Sequence, residues 1–412
     1  MNLKSIIDQK EKAAKYIIDE ITHVIKTCGK RDPGSEGEKK SCEYMAKVLK
    51  DCGCEDVKVE GYEVAPKAFY GWIYFTITFV LISVAAFFFV PVVGIPLIAL
   101  GFVLVLLEFG VYKKVLDPFF KKKTSHNVTA IKKCKGEVKR RIIFNGHPDA
   151  TWEWPVNYAL GGVGFEGHAI IVVLGAIYYL VLSIMYVVQN GVTVGMPDLE
   201  NPLVKAGLWG LLFVPFMIGL YFMENYKLVV DGANDNLTGC YMGIAVLKYL
   251  KDAGIELENT EVGVILTGSE EIGLRGAKAW VEAHKDEFKD VPTFIYSFDT
   301  INEPKYLMAN YRDLNGTVKS DAEVADLFYE AAQEIGVPCK KGWIPPLGGA
   351  VDAAAFTQGG FRAAGVTGLN HKLERYYHTR LDNVESLNKD GIANCFAATV
   401  KTLEMFDNGA KQ

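Results

Sequence analysis

The chain has 412 residues, half of them hydrophobic and 23% charged, with a formal net charge of −5. So many charges exclude a pure membrane bundle, and the acidic balance lacks the basic surplus of a nucleic-acid binder. Eight cysteines are scattered without a CxxC pair, which reads as reduced, buried thiols rather than a disulfide or zinc-finger framework.

In chain order, Leu3 to Lys26 mixes charges with Ile6, Ile7, Ile17, Ile18, Ile21 and Ile25. That spacing predicts an amphipathic helix and not a secretory signal. Ser35–Gly53 reads as a helix and Asp56–Val64 as a strand. From Ala68 to Leu107 there is no Asp, Glu, Lys or Arg. A bilayer core needs about 20 apolar residues per helix, so this run predicts two spans, about Phe69–Val90 and Ile95–Tyr112. The stretch Pro91–Pro96 is expected to supply the turn between them. Strands are expected at Asn127–Lys132 and Arg141–Asn145. Further apolar runs at Ala169–Gln189 and Ala206–Met223 predict a second membrane hairpin. The domains expected are a body of residues 1–67, 113–167 and 224–412, with hairpins at 68–112 and 168–223.

Lys67, Lys113, Lys114, Lys121, Lys122 and Lys123 flank the first hairpin, whereas the far loop Asn190–Val204 carries Asp198 and Glu200 and no basic residue. Basic residues stay inside, so the body is expected on the cytoplasmic side of the bilayer. Asn127-Val-Thr129 and Asn315-Gly-Thr317 match the glycosylation sequon and keep a lumenal reading as the alternative.

The rest of the body alternates elements: helix Gly239–Ala253, strand Glu261–Leu266, helix Leu274–His284, strand Thr293–Phe298, and helices Asp321–Ile335 and Asp390–Phe406. This predicts an α/β, three-layer sandwich with a mostly parallel central sheet, whose ligands collect beyond the carboxyl ends of the strands. Following those strands are Asn-Gly-His147-Pro-Asp149, Asp-Gly-Ala-Asn-Asp235-Asn, Ser-Glu270-Glu271-Ile-Gly and Asp299, and a late loop holds Tyr-His378-Thr. Imidazoles and carboxylates of this kind suit zinc. Singly each has a blander reading: a helix cap, a turn residue, a solvated helix start.

In this order the blocks resemble the M28 metallopeptidases, and Arg31-Asp-Pro-Gly-Ser-Glu-Gly is similar to an opening motif of such exopeptidases. The likeness spans essentially the whole body. The related M20 family inserts a dimerisation domain before its last His, for which the 79 positions from Asp299 to His378 leave no room. The resemblance implies a cofactor of two zinc ions bridged by Asp235. His147 and Asp299 would complete one ion, Glu271 and His378 the other. Asp149 would hold the His147 ring, and Glu270 would be the general base. The expected activity is an exopeptidase cleaving N-terminal residues from short peptides. A carboxypeptidase, a glutaminyl-cyclase-like enzyme, and a transporter or receptor with a peptidase-like domain are the alternatives. Two departures stand out: Asn234 occupies a position where many relatives have Asp, and 88 positions separate His147 from Asp235. Trp152, Trp154, Tyr158 and Phe165 in the flank Thr151–Gly167 suggest interfacial anchoring or an apolar substrate wall favouring hydrophobic peptides, the alternative being that they only pack the hairpin onto the body.

Overall fold

The computed structural model describes residues 2–370 and 374–411. The chain divides into a body (residues 1–66, 121–153 and 227–412) and an apolar unit (residues 67–120 and 154–226).

The body is built on eight strands: β1 (Asp56–Val64), β2 (Lys123–Lys132), β3 (Arg140–Gly146), β4 (Thr260–Thr267), β5 (Thr293–Ile301), β6 (Met308–Asn310), β7 (Lys340–Gly342) and β8 (Arg362–Gly368). Their order in the sheet is β1-β2-β4-β3-β5-β8-β6-β7. The central four are parallel, β1 and β2 join one side as an antiparallel pair, and β6 is antiparallel to β8. Parallel strands covered on both faces should be apolar throughout, and they are. Ile142 and Phe144 of β3, Val262, Val264 and Leu266 of β4, and Phe294, Tyr296 and Phe298 of β5 enter the large core. The alternate residues Ile143, Ile265 and Ile295 are buried outside it, as the two-residue repeat of a strand requires.

The large core is closed by α1 (Lys10–Cys28), α2 (Glu36–Asp51), α3 (Gly239–Asp252), α5 (Ala322–Glu334) and α7 (Lys389–Asp407), whereas α4 (Arg275–His284) and α6 (Ala353–Gln358) sit together against the sheet around Trp280 and Phe356. Helix starts follow capping chemistry: Ser35 accepts from the Glu38 N–H, and Asp321 from those of Glu323 and Val324. Ser35 is therefore the cap rather than part of the helix. All eight cysteines are unpaired. Both sequon asparagines are used internally: Asn127 donates to Gly276 O at 2.9 Å, and Asn315 Oδ1 accepts from Gly349 N at 3.0 Å. Buried and bonded, they make poor glycosylation sites.

The apolar unit contains four helices long and apolar enough to cross a membrane: Gly71–Phe89, Pro91–Gly110, Pro155–Asn190 and Pro202–Leu220. Three of them have 19 or 20 residues, which at 1.5 Å each span roughly 30 Å, about the thickness of a hydrocarbon core. The expected turn at Pro91–Pro96 is corrected: Val90 alone (φ −148°, ψ 72°) makes it, and helix resumes at Pro91. Proline is preorganised for that first helical position, where its missing N–H costs nothing. The second helix ends in a π turn, Leu106–Gly110, within which Glu108 accepts from the Leu116 N–H at 2.6 Å.

The third helix starts at Pro155, well before the expected Ala169, and kinks at left-handed Gly161 (φ 69°). The flank Thr151–Gly167 is therefore largely helical. Trp152 and Trp154 are buried, and the Trp154 ring stacks on Phe165 at 4.7 Å. Tyr158 and Phe165 are half-buried. Close helix contact in this unit relies on small residues: a Cβ added at Gly207 would lie 2.3 Å from the Phe87 ring.

Candidate metal centre

His147 follows β3 directly, and Asp299 lies near the end of β5. Glu270 and Glu271 follow β4 after Ser269, whose φ is +55°. Asp235 departs from the expected placement. The strand before it, Asn225–Val229, pairs with Trp152–Glu153 in a separate two-stranded ribbon, not in the central sheet. Asp235 itself sits in an irregular turn between left-handed Gly232 (φ 56°) and α3, and its peptide bond to Asn236 is cis. His378 occupies a loop with φ +54°. Left-handed residues other than glycine concentrate where surrounding structure dictates the backbone, often at sites.

The five expected ligands come together. Asp235 lies between the two imidazoles: Oδ1 is 3.3 Å from His147 Nε2, and Oδ2 is 3.2 Å from His378 Nε2. Glu271 Oε2 lies 3.1 Å from His378 Nε2, and Asp299 Oδ2 lies 4.0 Å from His147 Nε2. Glu270 Oε2 is 3.6 Å from His147 Nε2, nearer than the Asp299 carboxylate. Asp149 Oδ1 is 3.3 Å from His147 Nδ1. The same carboxylate accepts the Glu270 N–H at 3.1 Å and the Glu271 N–H at 3.2 Å. Asp149 thus aligns a ligand ring and the turn that carries the acidic pair.

All of these side chains are buried. Burial, then crowding by neighbouring carboxylates, raises Glu270 well above the ordinary range, although His147 opposes it. Burial and Asp235 likewise raise Asp299, and burial raises Glu271 against the pull of His378. Burial alone would depress His147, but Glu270, Asp149 and Asp235 outweigh it and lift its pKa well above normal. Such a cluster needs more positive charge than its two imidazoles offer. Glu271 Oε1 is buried with no hydrogen-bond partner among the described residues. Buried imidazole, carboxylate crowding and an orphaned oxygen fit divalent cations.

Residues 220–403 match the model of peptidase family M28. That stretch holds Asp235, Glu270, Glu271, Asp299 and His378, and the fold adds His147 and Asp149 from upstream. Solved structures of the same fold include an aminopeptidase from Aneurinibacillus sp. strain AM-1 (15% identity, covering 97% of this chain and 95% of that one, TM-score 0.58). BSAP, a zinc aminopeptidase from Bacillus subtilis, aligns at 15% identity over 94% of each chain with a TM-score of 0.54. A glutaminyl cyclase from Porphyromonas gingivalis aligns at 10% identity over 97% and 98%, with a TM-score of 0.51. At these identities the likeness is one of fold. No curated protein matches the chain in sequence.

Four features of the M28-like centre escape the sequence reading. Arg31 of the opening motif is buried, and its guanidinium donates to Pro148 O at 2.8 Å, Asp231 O at 2.7 Å and Gly232 O at 3.1 Å. Asp382 receives the backbone N–H groups of Asn234 and Asp235. Tyr377 stacks on His378 with ring centroids 4.0 Å apart, and burial followed by Asp235 and Glu271 keeps its phenol protonated. Asp352 accepts from the Thr267 hydroxyl, and burial pushes its carboxyl up to about 7. Arg31 carried a hint in the opening motif, Tyr377 in the block that holds His378, and Asp382 in standing four positions after His378.

Proposed function

We propose that the chain is a membrane-anchored exopeptidase that uses two zinc ions to remove N-terminal residues from short peptides, with its body on the cytoplasmic side. The observation that carries this reading is Asp235, which offers one oxygen toward each histidine. Asp299 on one side and Glu271 on the other complete two donor sets. Two cations held there would lower the pKa of a shared water and polarise the scissile carbonyl. Glu270, anchored through its N–H to Asp149, would be the residue to hold a proton taken from water and pass it to the departing amine.

The surplus of carboxylates favours the amino end of a peptide over its carboxyl end. Arg380, the guanidinium nearest His378 in sequence, is committed through Nε and Nη2 to Glu153, each at 2.6 Å. Arg275 is buried. The ring of Tyr377 suits an apolar first residue. A panel of Leu- or Phe-led against Lys- or Asp-led peptides of equal length tests that preference, and equal rates would remove it.

Glu270→Gln is the test of mechanism. Two metals should remain bound while turnover falls about 10³-fold or more, since positioned acid–base groups contribute about 10²–10⁴-fold. Loss of a metal in this variant would instead make Glu270 a ligand. For topology, a cysteine replacing Asp198 should label from outside intact cells and one replacing Lys122 should not. The reverse pattern would invert the orientation.

A further inference from the structure

We infer that Asp382 is a positioning residue that sets how tightly the Asp235–His378 half of the centre holds its ion. The inference rests on the two-ion reading above. Asp382 is fully buried on the loop that carries His378. Its Oδ1 accepts from the Asn234 backbone N–H at 2.8 Å and from Asn234 Nδ2 at 3.1 Å, and its Oδ2 accepts from the Asp235 N–H at 3.1 Å. Asn234 Nδ2 also donates to Ser386 Oγ at 2.8 Å. One carboxylate therefore fixes the backbone of the bridging ligand from the loop of the last ligand. Two ligands 143 positions apart in the chain become one rigid piece.

Two other clamps close this into a ring. Arg31 ties Pro148, between His147 and Asp149, to Asp231 and Gly232 just ahead of Asp235. Arg380, two residues after His378, ties back to Glu153. Asp382 differs from both because its bonds reach the backbone of a ligand itself. Groups that orient ligands in this way typically change metal affinity about 10–100-fold when altered.

The amide at 234 has a specific part. It can donate to Asp382, whereas a carboxylate there would confront a second carboxylate at hydrogen-bonding distance. An aspartate at 234 would therefore be the wrong partner for Asp382 with both groups ionised.

The experiment uses the full-length chain in detergent, stripped of metal and titrated with zinc against a chromophoric competitor, so that ions are counted and ranked by affinity. Wild type should bind two. Asp382→Asn turns an acceptor into a donor facing an N–H, and should weaken one ion about 10–100-fold and the other less, through the shared Asp235. Asn234→Asp should weaken the same ion at least tenfold. The swap Asn234→Asp plus Asp382→Asn restores an amide–carboxylate pair and should recover part of that loss, which general destabilisation would not do. If Asp382→Asn does not fold, Asn234→Asp and the swap decide by the same titration. Two ions at unchanged affinity in Asp382→Asn or Asn234→Asp would overturn this inference alone. Failure of wild type to bind two would overturn the reading beneath it.

Discussion

Val59 in the body and Val181 in the apolar unit show similar surface, 40% and 47% exposed, but keep different company. Val59 stands on an edge strand between Lys58 and Glu60. Val181 belongs to a helical stripe with Leu174, Ile177, Ile184, Met185 and Val188, all exposed. An isolated apolar residue on a water-facing surface is ordinary, whereas a continuous apolar stripe demands a different solvent. The two regions also treat polar atoms differently. The body gathers ionisable groups around Asp235. The apolar unit buries hydroxyls that are satisfied by backbone carbonyls, as with Thr76 to Gly101 O, Tyr178 to Ala206 O and Tyr179 to Gly207 O. Where water is scarce, an unsatisfied group is costly and the nearest carbonyl is the natural partner. The lesson is that exposure has meaning only once the solvent is known.

Four substitutions sharpen that contrast. Phe144→Ala should be the most damaging, at about 3–5 kcal/mol of body stability, because the ring is buried between Tyr296 and Phe298. Thermal or denaturant melting of the purified protein reads it. Val181→Asp should cost about 2.5–3.5 kcal/mol of membrane insertion, while Val59→Asp should stay within about 0.5 kcal/mol of wild type. Alkaline extraction of membranes measures the first and melting the second. Equal tolerance at both valines would mean that the stripe faces water. Tyr179→Phe removes one hydrogen bond inside the apolar unit, and should cost about 1 kcal/mol, seen as a small loss of heat resistance in detergent.

Much of this architecture is legible in the sequence, because the signals are local. Strand Asp56–Val64 has its predicted bounds, and β3, β4 and β5 differ by a few residues at their ends. Each is an apolar run bounded by polar or glycine punctuation. The ligands stand out for the same reason: most directly follow such a run. What stays hidden is either short or long-range. β6 and β7 have three residues each, too few for a periodic pattern. The helix onset at Pro155 hides in a glycine-rich, nearly uncharged stretch that reads equally as loop. Arg31, Asp382 and the Glu153–Arg380 pair act on partners more than a hundred positions away, at separations where spacing carries no information.

The pairing of Trp152–Glu153 with Asn225–Val229 has a consequence of its own. Val230 N–H donates to Thr151 O at 3.0 Å, and a single guanidinium, that of Arg31, grips backbone on both sides of this ribbon. Everything from residue 154 to 224 is thus a loop sewn shut at its neck. Closing a longer loop costs entropy only logarithmically in its length, so the neck can tolerate a long apolar cargo or a short turn with little effect on the residues around Asp235. Excising that cargo and joining the neck with a few glycines offers a route to a body freed of its second pair of apolar helices.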